Sequence, residues 1–237
     1  MRNQLQSLHI HCFKVMDAQA LISNIPLRAG ENLEIRSRCE GLSEILSGIS
    51  TTHLSNLLSP TFMTHASCGR AIRLRGPNGS FSFYMTLGWG RFVDFAEFTL
   101  LPLTNVREFH LSHRRVMWMY ALCPVMFHPS SFPALETLII ECDINASYVL
   151  SALLSNPSSS PSLKTLAFLD CDLSEDFMEE LTRFALDRKN TTSAWLHHVL
   201  IVHREGRFPS ADSVRGLRQH VTTVDVRVDD KLPKDLT

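Results

Sequence analysis

Leu163-Lys-Thr-Leu166-Ala-Phe168-Leu-Asp-Cys171-Asp-Leu173 places apolar side chains at the first, fourth, sixth and eleventh positions of one frame and a cysteine at the ninth. Positions four and six share a parity, so in a short strand Leu166 and Phe168 point to the same side. A cysteine just after the strand suits a turn, where its side chain supports the backbone that leaves the sheet. The stretch therefore reads as a strand followed by a sharp turn, with Leu163 anchoring its entry.

The frame recurs on both sides. Leu135, Leu138 and Ile140 repeat the first three apolar positions, with Cys142 and Asp143 at the turn, and Val106, Phe109 and Leu111 do so upstream. Downstream come Leu196, Val199 and Ile201, then Val221, Val224 and Val226. The frames start at 106, 135, 163, 196 and 221, giving separations of 29, 28, 33 and 25 residues. Those intervals lie around the leucine-rich-repeat period of about 20–29, with one insertion. Leu5, Leu8 and Ile10 give the same spacing near the N-terminus.

Between the frames the periodicity turns helical. Ser174 is an N-cap, Glu175 and Asp176 suit a first turn, and Phe177, Leu181 and Phe184 recur at helical intervals. Arg188 and Lys189 sit where a helix C-terminus favours cations, and Asn190 reads as the stop. Tyr148, Val149, Ala152 and Leu153 define a second apolar face, ended by Asn156-Pro157, and Leu42, Ile45, Leu46 and Ile49 an earlier one. The fold class expected is α/β: a leucine-rich-repeat solenoid of degenerate repeats, with a curved parallel sheet and helices on its outer face. It runs as one domain over residues 1–228. Residues 51–91 are irregular, with a β-hairpin insertion suggested by Gly76-Pro-Asn-Gly79 between Ile72, Leu74 and Phe81, Phe83. Residues 229–237 read as a flexible tail.

Composition narrows the function classes. The chain has 237 residues, 44% apolar and 20% charged, which suits a globular domain. Its 23 basic and 24 acidic residues leave a net charge of −1, so no nucleic acid or anionic membrane is expected as partner, and Arg70, Arg73 and Arg75 read as a solvated strand edge. Val116–Phe127, the longest apolar run, carries Pro124 and is shorter than the roughly twenty residues of a membrane span. Within it, Val116-Met-Trp-Met-Tyr120 reads as core packing. The first fifteen residues show no signal-peptide pattern. Six cysteines without a CxxC pair then read as free thiols in a reducing compartment, so an intracellular location, cytoplasmic or nuclear, is expected, where sequons at Asn78, Asn145 and Asn190 have no use.

No enzyme is expected, and no catalytic, cofactor or metal residues are assigned. His9, His11 and Cys12 are close in sequence, and His197, His198 and His203 form a second group, yet both read as strand residues rather than zinc ligands. Nucleophile-elbow, phosphate-loop, dinucleotide and HExxH patterns are missing. What the frame does assign is a surface. Positions three, five and seven of each strand face the concave side: Glu108, His110 and Ser112; Thr137, Ile139 and Glu141; Thr165, Ala167 and Leu169; His198, Leu200 and Val202. An exposed row of Ile139, Leu169, Leu200 and Val202 would be an apolar patch of the kind that marks a partner site; the competing reading is a strand wall covered by a loop or flanking domain.

Phe132-Pro-Ala-Leu-Glu-Thr-Leu138, Leu150 to Ser174 and Trp195-Leu-His-His-Val-Leu-Ile-Val-His203 closely resemble the C-terminal half of F-box-type leucine-rich-repeat proteins expanded in mushroom-forming fungi. The resemblance covers residues 100–236 well and the first hundred loosely. It implies a protein-recognition module, the client-binding part of a ubiquitin-ligase receptor. Residues 1–45 depart from the family, showing no F-box-like helical segment, so a ligase adaptor is expected as partner only if an F-box is supplied elsewhere. Two other readings stand beside it: a truncated or non-functional repeat fragment, and a thiol- or metal-dependent enzyme.

Overall fold

The structure is a computed structural model and describes residues 7–12, 32–37, 62–66, 71–76, 79–85, 103–112, 129–141, 143–156, 160–171, 173–191, 195–203 and 208–228. Several expectations fall outside them: the helix at Leu42–Ile49, the packing of Val116–Tyr120, the tail 229–237, and the side chains of His9, His11, Cys12 and Ser112. The chain divides into two compact units, residues 1–109 with 113–123, and residues 110–112 with 124–237. This division lies inside the span 1–228, read from the sequence as one domain.

In the first unit, β1 (Ser7–Cys12) pairs parallel with β2 (Asn32–Ser37), and β2 pairs parallel with β5 (Gly79–Met85). β5 pairs antiparallel with β4 (Ala71–Gly76), and β4 with β3 (Phe62–Ala66). The β4–β5 register sets Ile72 opposite Phe83 and Leu74 opposite Phe81, with Gly76 facing Gly79 across the Pro77-Asn78 connection. Leu74 is fully buried.

The second unit carries a parallel five-strand sheet with helices. Its strands are β6 (Glu108–Ser112), whose last three residues belong here, β7 (Thr137–Glu141), β8 (Thr165–Leu169), β9 (His198–His203) and β10 (Thr223–Val228), in that spatial order. The frames stack in phase. Leu138, Leu166, Val199 and Val224 align across β7 to β10, as do Ile140, Phe168, Ile201 and Val226. Leu135, Leu163, Leu196 and Val221, the first apolar residue of each frame, are all buried. The entry backbone repeats too: Glu136 O accepts from Lys164 N and Thr165 N, and Lys164 O from His197 N and His198 N, at 2.8–3.0 Å.

Three helices cover one face: α1 (Asp143–Ser155), α2 (Glu175–Thr191) and α3 (Ala211–Arg218). Ser174 caps α2, accepting from Phe177 N through its hydroxyl at 3.2 Å and from Met178 N through its carbonyl at 3.0 Å. Phe177, Leu181 and Phe184 are buried, and Phe177 meets Phe168 edge-to-face with centroids 5.3 Å apart. An aromatic pair of that geometry adds about 0.5–1.5 kcal/mol beyond its area. Two helix expectations change. The buried face of α1 is Ala146, Val149, Leu150 and Leu153, while Tyr148 is exposed, because a helix presents i, i+3, i+4 and i+7 to one side. And α2 continues through Asn190 to Thr191 rather than stopping there.

Arg188 departs furthest from its expected role. It is fully buried rather than complementing a helix end at the surface: Nη1 and Nη2 donate to Ser160 O at 3.1 and 3.2 Å, and Nη2 to Leu163 O at 3.0 Å. The guanidinium ties the carbonyls entering β8 to the outer helix. Burial pulls its pKa below the ordinary value. After β8, Cys171 is buried with Sγ 3.4 Å from Leu169 O and 3.6 Å from Ile140 O, so the thiol does support the turn, beside Asp170 at φ 55°.

Candidate functional site

The strand face turned away from Phe177 carries the residues singled out in the sequence, and the register sorts them into rows. Thr137, Thr165, His198 and Thr223 form one; Ile139, Ala167, Leu200 and Asp225 the next; Glu141, Leu169, Val202 and Arg227 a third. Side chains alternate sides along a strand, so three rows spaced by two share this face.

It is not an open apolar patch along its whole width. Ile139, Ala167 and Leu169 are 6%, 4% and 3% exposed and form one cluster, with half-buried Leu200 and Val202 packed against it. The expected exposed row is therefore corrected at Ile139 and Leu169, and Ala167 is buried with them. The physical reason is that β7 and β8 are covered on both faces, whereas β9, whose VLIV run is just as apolar, is fully covered on one face only. Exposure rises from β8 through β9 to β10, where Arg227 is well exposed.

Polar pairs flank the apolar cluster. On the β6 side, His110 is 4% exposed and its Nε2 lies 3.8 Å from Glu141 Oε2. Burial lowers the His110 pKa, so the imidazole is held neutral. Glu108, half-buried at the start of β6, has its pKa raised by burial. On the β10 side, His198 Nε2 lies 3.2 Å from Asp225 Oδ2, and Arg227 Nη2 donates to the same oxygen at 3.1 Å. These bonds, His198 first, hold the Asp225 carboxyl below the usual range.

The structure thus brings His198, Leu200 and Val202 together with Asp225 and Arg227, two residues not singled out in the sequence. The signal was present: extending positions three, five and seven to the frame at Val221 yields Thr223, Asp225 and Arg227. His110 and Glu141 meet in a separate, mostly buried pair, and Thr137 and Thr165 are half-buried. Among the described residues no group of three or more His, Cys, Asp and Glu side chains is placed to hold a metal ion, and no helix is long and apolar enough to cross a membrane.

Chemically, the β9–β10 end offers a half-buried aliphatic floor, Leu200 and Val202, under a rim of imidazole, carboxylate and guanidinium. Such a floor desolvates an apolar side chain, while the exposed Arg227 guanidinium carries N–H groups beyond the one it donates to Asp225. No protein-family profile, curated protein or solved structure matches the chain.

Proposed function

We propose that this chain is a protein-recognition module of the leucine-rich-repeat type, with its contact surface at the β9–β10 end of the strand face. The observation that carries the reading is the in-phase register of β7 to β10, which collects Leu200, Val202, His198, Asp225 and Arg227 from separate frames onto one surface. A half-buried apolar floor with a charged rim is the arrangement in which a few central residues dominate binding energy and the rim excludes water. The partner it suits is an exposed protein segment that inserts an aliphatic or aromatic side chain and sets an acceptor against Arg227. The resemblance to F-box-type receptors adds a context, selection of a client for a ubiquitin ligase. In this reading the chain does no chemistry of its own.

The test compares proteins captured by the tagged wild-type chain with those captured by Leu200→Asp, Arg227→Glu and Tyr148→Ala, the last on the helix side. Partners lost with the first two and kept with the third support the surface, and recovered adaptor and cullin subunits would support the ligase context. If folded Leu200→Asp and Arg227→Glu chains keep every partner, the surface lies elsewhere.

A further inference from the structure

The free edge of β10 is the surface whose chemistry names its own occupant. Among the described residues β10 has a strand neighbour on one side only, β9, at the end of the sheet. Thr223 N donates to His197 O at 2.9 Å, so Thr223 turns its amide toward β9, and Asp225 and Arg227 follow by alternation. The amides and carbonyls of Val224, Val226 and Val228 therefore point away from the sheet. An unpaired row of this kind is a template for another strand.

We infer that this edge pairs antiparallel with the same strand of a second copy, about a twofold axis at Val226. The sequence Thr-Val-Asp-Val-Arg-Val reads in its own favour in that register. Val226 faces its symmetry mate, and both turn amide and carbonyl outward, so the two exchange hydrogen bonds. Val224 then stands opposite the mate's Val228 and is bonded in the same way. Asp225 falls opposite the mate's Arg227, and Arg227 opposite the mate's Asp225, at the non-hydrogen-bonded positions where side chains come closest. The dimer thus contains two acid–base pairs, one from each copy's acid. Val228, 60% exposed in one copy, would lie beside the buried Val224 of the other and extend its apolar face. Arg218 Nη2 reaches the outward Val224 carbonyl at 3.3 Å, and a carbonyl has a second lone pair for the incoming amide.

The charge pattern selects this partner over an arbitrary strand. In a parallel pair a residue that bonds its neighbour sits opposite one that faces away, so a parallel copy would be offset by one residue and would set Val226 beside Asp225 or Arg227, without any acid–base pair. Antiparallel pairing displaced by two residues in either direction would put a like-charge pair opposite itself.

The experiment is the mass in solution of the full chain over a dilution series, by light scattering after gel filtration. The wild type is expected at twice the 26.8 kDa chain mass at the concentrated end, dissociating on dilution. Val226→Pro removes an amide that β9 does not use and should leave a folded monomer. Asp225→Arg or Arg227→Asp alone should weaken the dimer by about tenfold or more. The double variant Asp225→Arg with Arg227→Asp restores both cross-pairs and should regain the dimer. A wild type that is monomeric throughout overturns the inference, as does a dimer indifferent to Val226→Pro or a double variant no tighter than its parents.

Discussion

Arg188 and Ser160 lie 28 residues apart, and both arms of one fully buried guanidinium meet the Ser160 carbonyl, at 3.1 and 3.2 Å. Ser160 is itself buried and its hydroxyl donates to Pro129 O at 3.2 Å, so the entry to β8 hangs on a chain of polar contacts inside the apolar core. Losing the arginine would take its donor from the Leu163 carbonyl and leave the Ser160 carbonyl with the Leu163 amide alone, at 3.1 Å. Arg188→Met is expected to cost about 3 kcal/mol, because a buried bond to a charged group leaves an unsatisfied partner behind. Arg188→Lys should recover little of that, since an ammonium cannot fork across the same acceptors. Urea unfolding checks this: the midpoint falls and the slope is unchanged. A midpoint equal to the wild type's would remove Arg188 from the core's support.

How much of this was legible depends on which side of a residue the pattern describes. The inward positions of the frame repeat because they fill one core, so the alignment of Leu138, Leu166, Val199 and Val224 could be read from spacing. The opposite face follows no such constraint. Ile139, Ala167 and Leu169 lie on the expected side, yet a strand pattern does not encode what covers that side. Arg188 was invisible for a related reason: beside Lys189 at a helix end, its local pattern matches a solvated cation. Helix α3 went unread because its eight residues hold too few turns for periodicity to emerge, and Gly216 interrupts them.

Burial of His110 gives stability a pH dependence with a definite sign. Its pKa is lowered in the folded chain, so between the folded value and about 6.5 the unfolded chain binds more protons. Stability from this group therefore rises with pH through that window and is lost as pH falls below about 6.5. His110→Gln should flatten this part of the profile while leaving the limb above pH 7 unchanged in shape. Thermal melts of both proteins from pH 5 to 8 test it. Parallel profiles would mean that His110 does not resist protonation.

Asp225 should titrate below the ordinary carboxylate range, because His198 and then Arg227 donate to its anionic form. A depressed acid contributes stability above its unfolded value and loses it as pH falls through the folded one. His198→Ala is expected to move the Asp225 carboxyl upward, and Arg227→Ala to move it less. Carbon-detected NMR titration of the side-chain carboxyl reads both. An Asp225 indifferent to His198 would mean the two side chains do not meet in solution.

Gly216 offers the opposite kind of change, a gain. It sits inside α3, in helical geometry without positive φ, and a Cβ built on it meets nothing within 4 Å. The space it faces is a groove of about 480 Å³ between α2 and α3, bordered by Thr182 and Leu186, so an added methyl displaces no protein atom. Glycine loses more backbone freedom on folding than alanine, so removing it narrows the unfolded ensemble without straining the folded one. Gly216→Ala is therefore expected to stabilise the chain by about 0.5–1 kcal/mol. The helix is short and depends on its cap, where the Ser210 hydroxyl accepts from Ser213 N at 3.1 Å and the Glu175 carboxylate accepts from Ser210 N at 3.2 Å. Ser210→Ala should thus cost about 1 kcal/mol, in the other direction. With the two sites acting on one helix by separate means, the double variant should fall between them in urea unfolding. A Gly216→Ala chain less stable than wild type would show that α3 needs the glycine, and that its groove closes more tightly than these distances allow.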